Sequence, residues 1–409
     1  MPTWCINCNR IEVMLRRPRS LFRRCNERYR SPTTTYSHYS GLQHERSGHR
    51  SSSTSPASSK SGYLDLCHDV RSLLARAEPS LGNNDSKKLW RRFVHNFCAA
   101  VREGVRLDVE SRVDWEATKV LEMKLGRVGA DTGTMPNFAH NPGALCGYTL
   151  RHFGRVRLLI DLMTQSTPSW LVSRMEEISV GSKDGNHTDH PTSDILRVAS
   201  LGGGPGFDFI AWLAWSEFRR GPRIRATVYE YEPNWEALVN QIKETSVHVL
   251  ETRRAHDCSF GSCDITLPLD DATNATTVGV AVTTDSPDTV YTCSYVVAEN
   301  AIKLRRNDFI FFRQLFSKAS PGTLFFFTET THRLWPELID IARRTSSSLR
   351  IAVPHIRRGK AGCQLVLLKD DGTIDNGIIS TGLSASDQDK YDRFKRDNEA
   401  HLAWLERRK

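Results

Sequence analysis

The sequence lacks long apolar runs and a regular cysteine framework. No stretch approaches the ~18 consecutive apolar residues that a membrane-spanning helix needs, so we expect no membrane insertion and an intracellular protein, mitochondrial or cytoplasmic. The chain has ten cysteines, and the one C-x-x-C pair, Cys5 and Cys8, has no second pair to complete a zinc site. We therefore expect reduced thiols and no bound metal.

Acidic residues are scarce in the first 60 residues. This segment holds eleven Lys or Arg and three Glu, which is +8 of the net charge of +9, so the rest of the chain is nearly neutral. It is rich in Arg, Ser, Thr and Tyr and has little that could form a core, which predicts a disordered basic tail. Three roles stay open for it: a transit peptide bound by import machinery, an arm that contacts RNA, and a solvated linker.

Residues 197–210, RVASLGGGPGFDFI, predict a strand, a tight glycine turn and a helix. Glycines allow positive φ and let a ligand contact the backbone, and a helix N-terminus favours an anionic group. A dinucleotide-binding turn requires a third glycine in the pattern G-x-G-x-x-G. That glycine is missing, because Phe207 or Phe209 stands there in the two registers.

The spacing G-x-G-x-G that is present resembles motif I of class I S-adenosylmethionine-dependent methyltransferases. Glu230, at the end of the predicted second strand, matches the acid with which this family holds the ribose hydroxyls, and Glu232 is the alternative. Asp264, within the predicted third strand, matches an Asp that contacts the adenine amino group. Glu230 could instead cap the next helix, and Asp264 could simply begin a turn. The resemblance implies S-adenosylmethionine as cofactor, bound by Gly202, Gly203, Gly204, Pro205, Gly206, Asp208, Glu230 and Asp264.

The sequence departs from the family at Ser200, where an acid usually lies near the methionine ammonium. Asp208, in the first turn of the next helix, supplies a negative charge nearby or simply begins that helix. If neither residue serves the cofactor, the chain is a non-catalytic relative.

Substrate-side residues are expected where the predicted fourth strand, residues 290–297, ends, because ligands of open α/β sheets bind at the carboxyl ends of strands. The alternative for this segment is a helix start capped by Asn300. In many family members helices before the first strand form a lid, so Arg151 and His152 are lid candidates beside Tyr148, unless they form a solvated helix face. The substrate-side candidates are Ser294, Tyr295, Glu299, Asn300 and Tyr148. No catalytic base is assigned, since His256 and His332 have no partner visible in the sequence.

Strands and helices alternate from residue 194 to about 371, which predicts an α/β fold. We expect a doubly wound, mostly parallel seven-stranded sheet of the Rossmann-like class I methyltransferase type, with residues 364–369 as an antiparallel strand. The other expected elements are a third strand at 260–265, one helix over 144–163 and a surface loop at 266–288. The predicted regions are a tail (1–60), a helical lid region (61–178), a linker (179–193), the cofactor domain (194–372) and a C-terminal tail with a charged helix (373–409).

The sequence thus predicts a transferase that carries out methylation, with an RNA, a protein or a small molecule as acceptor. The Asn/Asp-Pro-Pro-Tyr motif of enzymes that methylate amino groups, and the Pro-Cys pair of cytosine-C5 enzymes, are absent after the predicted fourth strand. Ser200 motivates one alternative, a degenerate S-adenosylmethionine-binding scaffold or assembly protein. A nicotinamide-dependent oxidoreductase is the other, and Phe207 and Phe209 disfavour it.

Overall fold

A seven-stranded sheet organises the protein in the computed structural model. The strands are β1 (Ile195–Leu201), β2 (Arg223–Glu230), β3 (Asp257–Ser262), β4 (Thr289–Ser294), β5 (Leu324–Glu329), β6 (Leu349–Ala352) and β7 (Cys363–Lys369). Their order is β3-β2-β1-β4-β5-β7-β6. Strands β1 to β5 pair in parallel, and β7 is antiparallel to both β5 and β6. The predicted fold is confirmed, including the antiparallel strand near the C-terminus.

The structure describes residues 56–77, 84–129, 131–164, 168–180, 195–283, 289–346, 348–354, 363–370 and 383–407. All of them belong to one compact unit, Thr54–Lys409. The basic segment with its proposed roles, and most of the predicted linker, lie outside the described residues. Within the described residues, no helix combines the length and the apolar character needed to cross a membrane.

In the described ranges, six α-helices precede the sheet and eight follow β1. The first group is α1 (Pro56–Ala75), α2 (Asn84–Val109), α3 (Trp115–Gly129), α4 (Pro142–His152), α5 (Val156–Met163) and α6 (Ser169–Val180). The second is α7 (Phe207–Arg219), α8 (Glu236–Leu250), α9 (Ala272–Ala275), α10 (Val278–Thr283), α11 (Ala301–Arg306), α12 (Ile310–Lys318), α13 (Trp335–Thr345) and α14 (Ala385–Glu406).

The N-terminal helices share a core with one face of the sheet. Helix α7 is buried on all sides from Phe207 to Phe218, because α2 covers the face that would otherwise meet solvent. The ring centroids of Phe93 and Phe218 are 5.3 Å apart, and those of Trp90 and Phe218 are 4.9 Å apart. A second core on the other face holds the aromatic side chains of α12, α13 and β5. The helical region is therefore held firmly over the sheet and its carboxyl edge.

Three sequence predictions about strands and loops were wrong in their bounds. Strand β3 covers Asp257–Ser262, so Asp264 lies beyond it rather than within residues 260–265. Strand β4 ends at Ser294, because Tyr295 has a φ of +65° and leaves the extended conformation. The predicted surface loop contains two helices, α9 and α10. Val278 and Val282 of α10 are buried in the second core.

The helix predicted over residues 144–163 is broken. A 3-10 turn, Phe153–Arg155, separates α4 from α5. The exposed Gly154 lies in this turn, and glycine disfavours a continuous helix through its backbone entropy. Arg155 is the last residue of this turn and immediately precedes α5.

Candidate functional site

The glycine turn joins β1 to α7 as predicted. Gly202 and Gly204 have φ values of +61° and +51°, which favour glycine. A Cβ atom on Gly203 would lie 2.2 Å from Ser200 Oγ, so this residue packs against β1. A Cβ atom on Gly204 would meet no atom within 4 Å. Gly204 therefore presents open backbone to the space above the sheet.

That space is a cleft at the carboxyl ends of β1, β2 and β4, at the point where the strand order reverses. Such switch points are where open α/β sheets bind ligands. The cleft is lined by Leu125, Met135, Phe138, Tyr148, Arg155, Gly202, Gly203, Gly204, Pro205, Phe207, Asp208, Glu230, Tyr231, Trp235, Ser294, Tyr295, Val296, Glu299 and Asn300. It includes every residue predicted for cofactor and substrate except Gly206 and Asp264.

The carboxylate of Asp208 is held by three hydroxyl groups. Ser200 and Thr292 donate to Oδ2 at 2.7 Å each, and Ser294 donates to Oδ1 at 2.8 Å. Burial raises the pKa of Asp208, and the three hydrogen bonds oppose that rise. A carboxylate has about four acceptor positions, so one position on Oδ1 remains for a donor in the cleft. We call Ser200, Thr292 and Ser294 the hydroxyl cluster.

Glu230 lies at the end of β2 beside the glycine turn. Its Oε2 accepts from the backbone N–H of Gly204 at 3.2 Å, and its Oε1 accepts from that of Tyr231 at 3.0 Å. Burial raises the pKa of Glu230 to about 7. Each oxygen keeps an acceptor position, so the carboxylate can receive a pair of hydroxyl donors.

The other two acids proposed for the cofactor have local partners. Asp264 Oδ1 accepts from the backbone N–H and the hydroxyl of Thr266 at 2.8 and 2.7 Å. Glu232 Oε1 accepts from the backbone N–H of Asn234 at 3.1 Å and caps a 3-10 turn. Neither residue lines the cleft, so Glu230 is the better placed acid after β2. The adenine role of Asp264 stays a prediction.

The segment after β4 brings three substrate-side candidates into the cleft. Tyr295 adopts its positive φ while its N–H donates to Thr328 O at 2.8 Å. Asn300 precedes α11, but its side chain donates to Val296 O at 3.0 Å instead of capping the helix. Glu299 is half-buried, and its pKa is raised by burial to about 8, an effect that Arg155 opposes.

Glu329, at the end of β5, holds the backbone of this segment by a hydrogen bond. Its Oε1 accepts from the backbone N–H of Ala298 at 3.0 Å. Its side chain is buried, which raises its pKa to about 7. Glu329 thereby supports the turn from which Glu299 enters the cleft.

Arg155 is the cleft residue that sequence reasoning did not select. It donates a short hydrogen bond to Tyr148 Oη. Its guanidinium carbon lies 4.1 Å from the ring centroid of Tyr295 and 5.2 Å from that of Tyr148. The sequence shows Arg155 beside His152 and Arg157 as part of a polar helix face, and only the break before α5 separates it from them.

The cleft also has an aromatic wall, which the sequence did not predict. Phe138, Tyr148, Tyr231 and Trp235 form a continuous chain of rings with centroids 5.8 to 6.3 Å apart. Tyr231 is 39% exposed at the mouth. These residues come from two loops and a helix that are distant in sequence, so no local periodicity relates them.

Four other residues considered in the sequence lie away from the cleft. Arg151 and His152 contact Glu122 of α3, at 3.2 and 2.9 Å. His256 bridges the backbone N–H of Ile224 and the Glu217 carboxylate. His332 stacks on Phe394 with centroids 4.2 Å apart. Among the described residues, no group of three or more His, Cys, Asp or Glu could hold a metal ion.

No protein-family model and no curated protein matches the sequence. Solved structures match at low identity. The CMeT domain of the citrinin polyketide synthase matches over 70% of this chain and 69% of its own, with 11% identity and a TM-score of 0.33. The precorrin-6y C5,15-methyltransferase of Geobacter metallireducens GS-15 matches over 43% and 80%, with 10% identity and a TM-score of 0.27. An S-adenosylmethionine-dependent methyltransferase of Clostridium acetobutylicum ATCC 824 matches over 42% and 84%, with 7% identity and a TM-score of 0.26.

Similarity at these values assigns neither a substrate nor an activity. The strand order and the glycine turn carry the assignment of fold instead. With parallel strands ordered β3-β2-β1-β4-β5, an antiparallel β7 between β5 and β6, and the glycine turn at the end of β1, the chain has the fold of the class I S-adenosylmethionine-dependent methyltransferases.

Proposed function

We propose that the protein is an S-adenosylmethionine-dependent methyltransferase and that the cleft binds the cofactor and the methyl acceptor. The observation that carries this proposal is the charge of the cleft. Two carboxylates, Asp208 and Glu230, lie beside the glycine turn, and one arginine, Arg155, lines the same cleft. S-adenosylmethionine has a sulfonium, an ammonium, one carboxylate and a ribose diol, and this set of groups is complementary to such a site.

The residues divide between the parts of the cofactor. The open backbone at Gly204 allows close approach of the methionine end. The free acceptor position on Asp208 suits the ammonium, and Glu230 suits the ribose diol through charge-assisted hydrogen bonds. Arg155 is the only Lys or Arg that lines the cleft in the described part of the chain, and it suits either the cofactor carboxylate or an oxygen of the acceptor.

The same charges disfavour a nicotinamide dinucleotide. A pyrophosphate at the glycine turn would lie beside the buried Asp208 and Glu230, and like charges at short distance in a poorly solvated site are strongly unfavourable. The side chain of Phe207 also faces the cleft at the position where the third glycine of a dinucleotide fingerprint would stand. An oxidoreductase is therefore the weaker proposal.

The main contribution of the protein to the reaction is to position the reactants. When bound, S-adenosylmethionine supplies a methyl group on a positively charged sulfur that leaves without further activation. The protein orients the acceptor and excludes water. Tyr148, Phe138 and Leu125, from the helical region, cover the cleft and suit the second task.

Ser200 no longer argues for a degenerate protein. It donates to Asp208, so the hydroxyl cluster positions a buried carboxylate where the strand itself supplies none. A purely structural module would have no use for a carboxylate with an unfilled acceptor position beside an open glycine turn. This arrangement supports cofactor binding.

A ligand panel tests the proposal. We expect S-adenosylmethionine and S-adenosylhomocysteine to raise the melting temperature, whereas NAD should not. At a ligand concentration of one hundred times Kd, the free energy of unfolding should increase by about 2.7 kcal/mol. Calorimetry should show at least tenfold weaker S-adenosylmethionine binding for Asp208→Asn and Glu230→Ala. The exposed Asp69→Asn is the control and should bind normally. Stabilisation by NAD alone, or no binding of S-adenosylmethionine by the intact chain, would overturn the proposal.

The acceptor class requires a separate assay. Transfer of tritiated methyl groups should be measured into RNA, into protein and into small-molecule fractions. If the basic segment recruits RNA, a chain lacking residues 1–55 should lose transfer to RNA while S-adenosylmethionine binding is unchanged. Binding without transfer into any fraction would favour the scaffold or assembly role.

A further inference from the structure

Glu299 differs from the other acids at the carboxyl edge of the sheet. Asp208 accepts three hydrogen bonds from side chains, and Glu230 and Glu329 accept from the backbone. Glu299 makes no hydrogen bond to any of the described residues, although it is half-buried and lines the cleft. Both of its oxygens are therefore open to a donor group in the cleft, and this points to a ligand.

Arg155 lines the same cleft as Glu299 and lowers its pKa, and its guanidinium is held by two aromatic residues. Its face rests on the ring of Tyr295, and one of its N–H groups donates to Tyr148. Both contacts fix the guanidinium without neutralising it. Glu299 and Arg155 thus offer an acceptor of protons and a donor of hydrogen bonds to the same cleft.

On the basis of the proposed methyltransferase function, we propose that Glu299 removes a proton from the methyl acceptor and that the acceptor is a neutral heterocyclic ring in which an N–H adjoins a carbonyl oxygen. Arg155 is the residue that binds that oxygen. The ring belongs to a free heterocycle or to a base in nucleic acid.

The chemistry of such a ring explains why both residues are needed. The lone pair of a lactam nitrogen is delocalised into the carbonyl, so the neutral group is a poor nucleophile. Glu299 takes the proton as the N–H electron pair forms the new bond to the methyl carbon. The electron pair of the broken carbon–sulfur bond stays on sulfur, giving a neutral thioether, and Glu299 then loses the proton to solvent. Arg155 stabilises the negative charge that develops on the carbonyl oxygen.

Other acceptor classes fit these residues less well. A protonated amine would be repelled by Arg155, and a neutral amine has a free lone pair that needs no base for attack. The aromatic wall of Phe138, Tyr148 and Trp235 suits a flat ring, because aromatic side chains that line a cleft can pack against such a ring edge to face or with an offset. Burial also raises the pKa of Glu299 to about 8, which is near the value at which a general base works best at neutral pH.

The first experiment compares binding with transfer in Glu299→Gln. We expect the Kd for S-adenosylmethionine to change less than twofold and the single-turnover rate of methyl transfer to fall at least 100-fold. Glu244→Gln, an exposed acid of α8, is the matched control and should leave both values unchanged. Loss of S-adenosylmethionine affinity would instead assign Glu299 to the cofactor, and an unchanged rate would exclude it as a base. Either result overturns the inference and leaves the proposed function standing.

The second experiment identifies the acceptor and the role of the proton. Uridine, guanosine, total RNA and RNA-free protein serve as separate acceptor arms, and the methylated atom is located by mass spectrometry. The wild-type rate should rise with pH as Glu299 ionises, Glu299→Asp should keep this rise, and Glu299→Gln should lose it. Methylation of a ring nitrogen beside a carbonyl supports the inference. Methylation only of protein, or of an amine, overturns it. If the intact chain binds no S-adenosylmethionine or transfers to no arm, the proposed function fails with it.

Discussion

Asp208 shows how a single side chain acquires a site through partners remote in sequence. On the chain it is the second residue of α7, next to two phenylalanines, and nothing distinguishes it from an ordinary helix-start acid. Ser200 and Thr292 are paired neighbours on β1 and β4, so their hydroxyls meet at the same point on the sheet edge. The hydroxyl cluster then orients the carboxylate toward the cleft.

Gly204→Ala tests whether the ligand contacts the backbone of the glycine turn, because it adds a single methyl group there. The Cβ atom would enter open space, so the folding cost should be limited to about 1 kcal/mol for the positive φ. Binding of S-adenosylmethionine should fall at least 30-fold, because the methyl group would occupy the surface that the ligand contacts. Denaturation and calorimetry measure the two effects.

Gly62→Ala is the control for this substitution. Its Cβ atom would also meet nothing within 4 Å, but Gly62 lies in α1 with ordinary helical φ. Alanine there should stabilise the protein slightly and leave the affinity unchanged. Normal S-adenosylmethionine binding by Gly204→Ala would show that the ligand does not approach this turn.

At the level of secondary-structure elements, α14 is tied to the loop that follows α3. Asp131 Oδ2 lies 3.2 Å from His401 Nε2 of α14 and 3.5 Å from Arg305 of α11. Arg333 contacts His401 and donates to Gly129 O at 2.8 Å. The loop continues to Met135 and Phe138, which line the cleft. The C-terminal helix therefore helps to hold the cover of the cleft in place.

Asp131→Asn should weaken this connection. The Asp131 side chain is 5% exposed, and removing its charge weakens its contacts with Arg305 and His401, which should cost about 3 kcal/mol. Urea denaturation should report this loss, and hydrogen exchange of residues 131–141 should accelerate. Asp85→Asn is the control, because that side chain is 93% exposed and such pairs contribute little. Equal stability of the two variants would contradict the role given to Asp131.

For the whole molecule, the feature with the widest consequence is the accumulation of buried acids at one edge of the sheet. Burial raises the pKa of Glu230 and Glu329 to about 7 and that of Glu299 to about 8. An unfolded Glu has a pKa of about 4.3. The folded protein therefore holds more protons than the unfolded chain until the pH exceeds about 8.

The free energy of unfolding should consequently decrease as the pH rises from 6.5 to 8. The stabilisation from a raised carboxyl pKa is fully present below the unfolded pKa, and it is lost progressively until the pH exceeds the folded pKa. In this range the free energy of unfolding of Glu299→Gln should decrease less steeply with pH than that of the wild type, by about 1 kcal/mol per pH unit. Urea denaturation across the range checks this, and identical slopes for the variant and the wild type would show that Glu299 is already ionised.

Much of the architecture was predictable because it depends on local patterns. The apolar runs of β1, β4 and β5 and the glycine turn follow from short-range sequence, and they led to the correct sheet. The errors came where tertiary context overrides such patterns. Tyr295 ends β4 by turning to a positive φ despite its strand propensity, and Gly154 interrupts an otherwise periodic helix.

The acids Glu230 and Glu299 were identifiable from their positions relative to predicted strands, since the residues that follow a strand of a parallel sheet lie at one known edge. Arg155, the aromatic wall and the hydroxyl cluster were not identifiable in this way. Arg155 and Tyr295, which are in contact, lie 140 residues apart in the sequence, and no local spacing encodes which of these residues meet. Local sequence is enough to specify a sheet with a glycine turn and acids at its edge. Only the packing of the N-terminal helices over that edge, and the pairing of β1 with β4, brings together the arginine, the rings and the hydroxyls that make the edge a site.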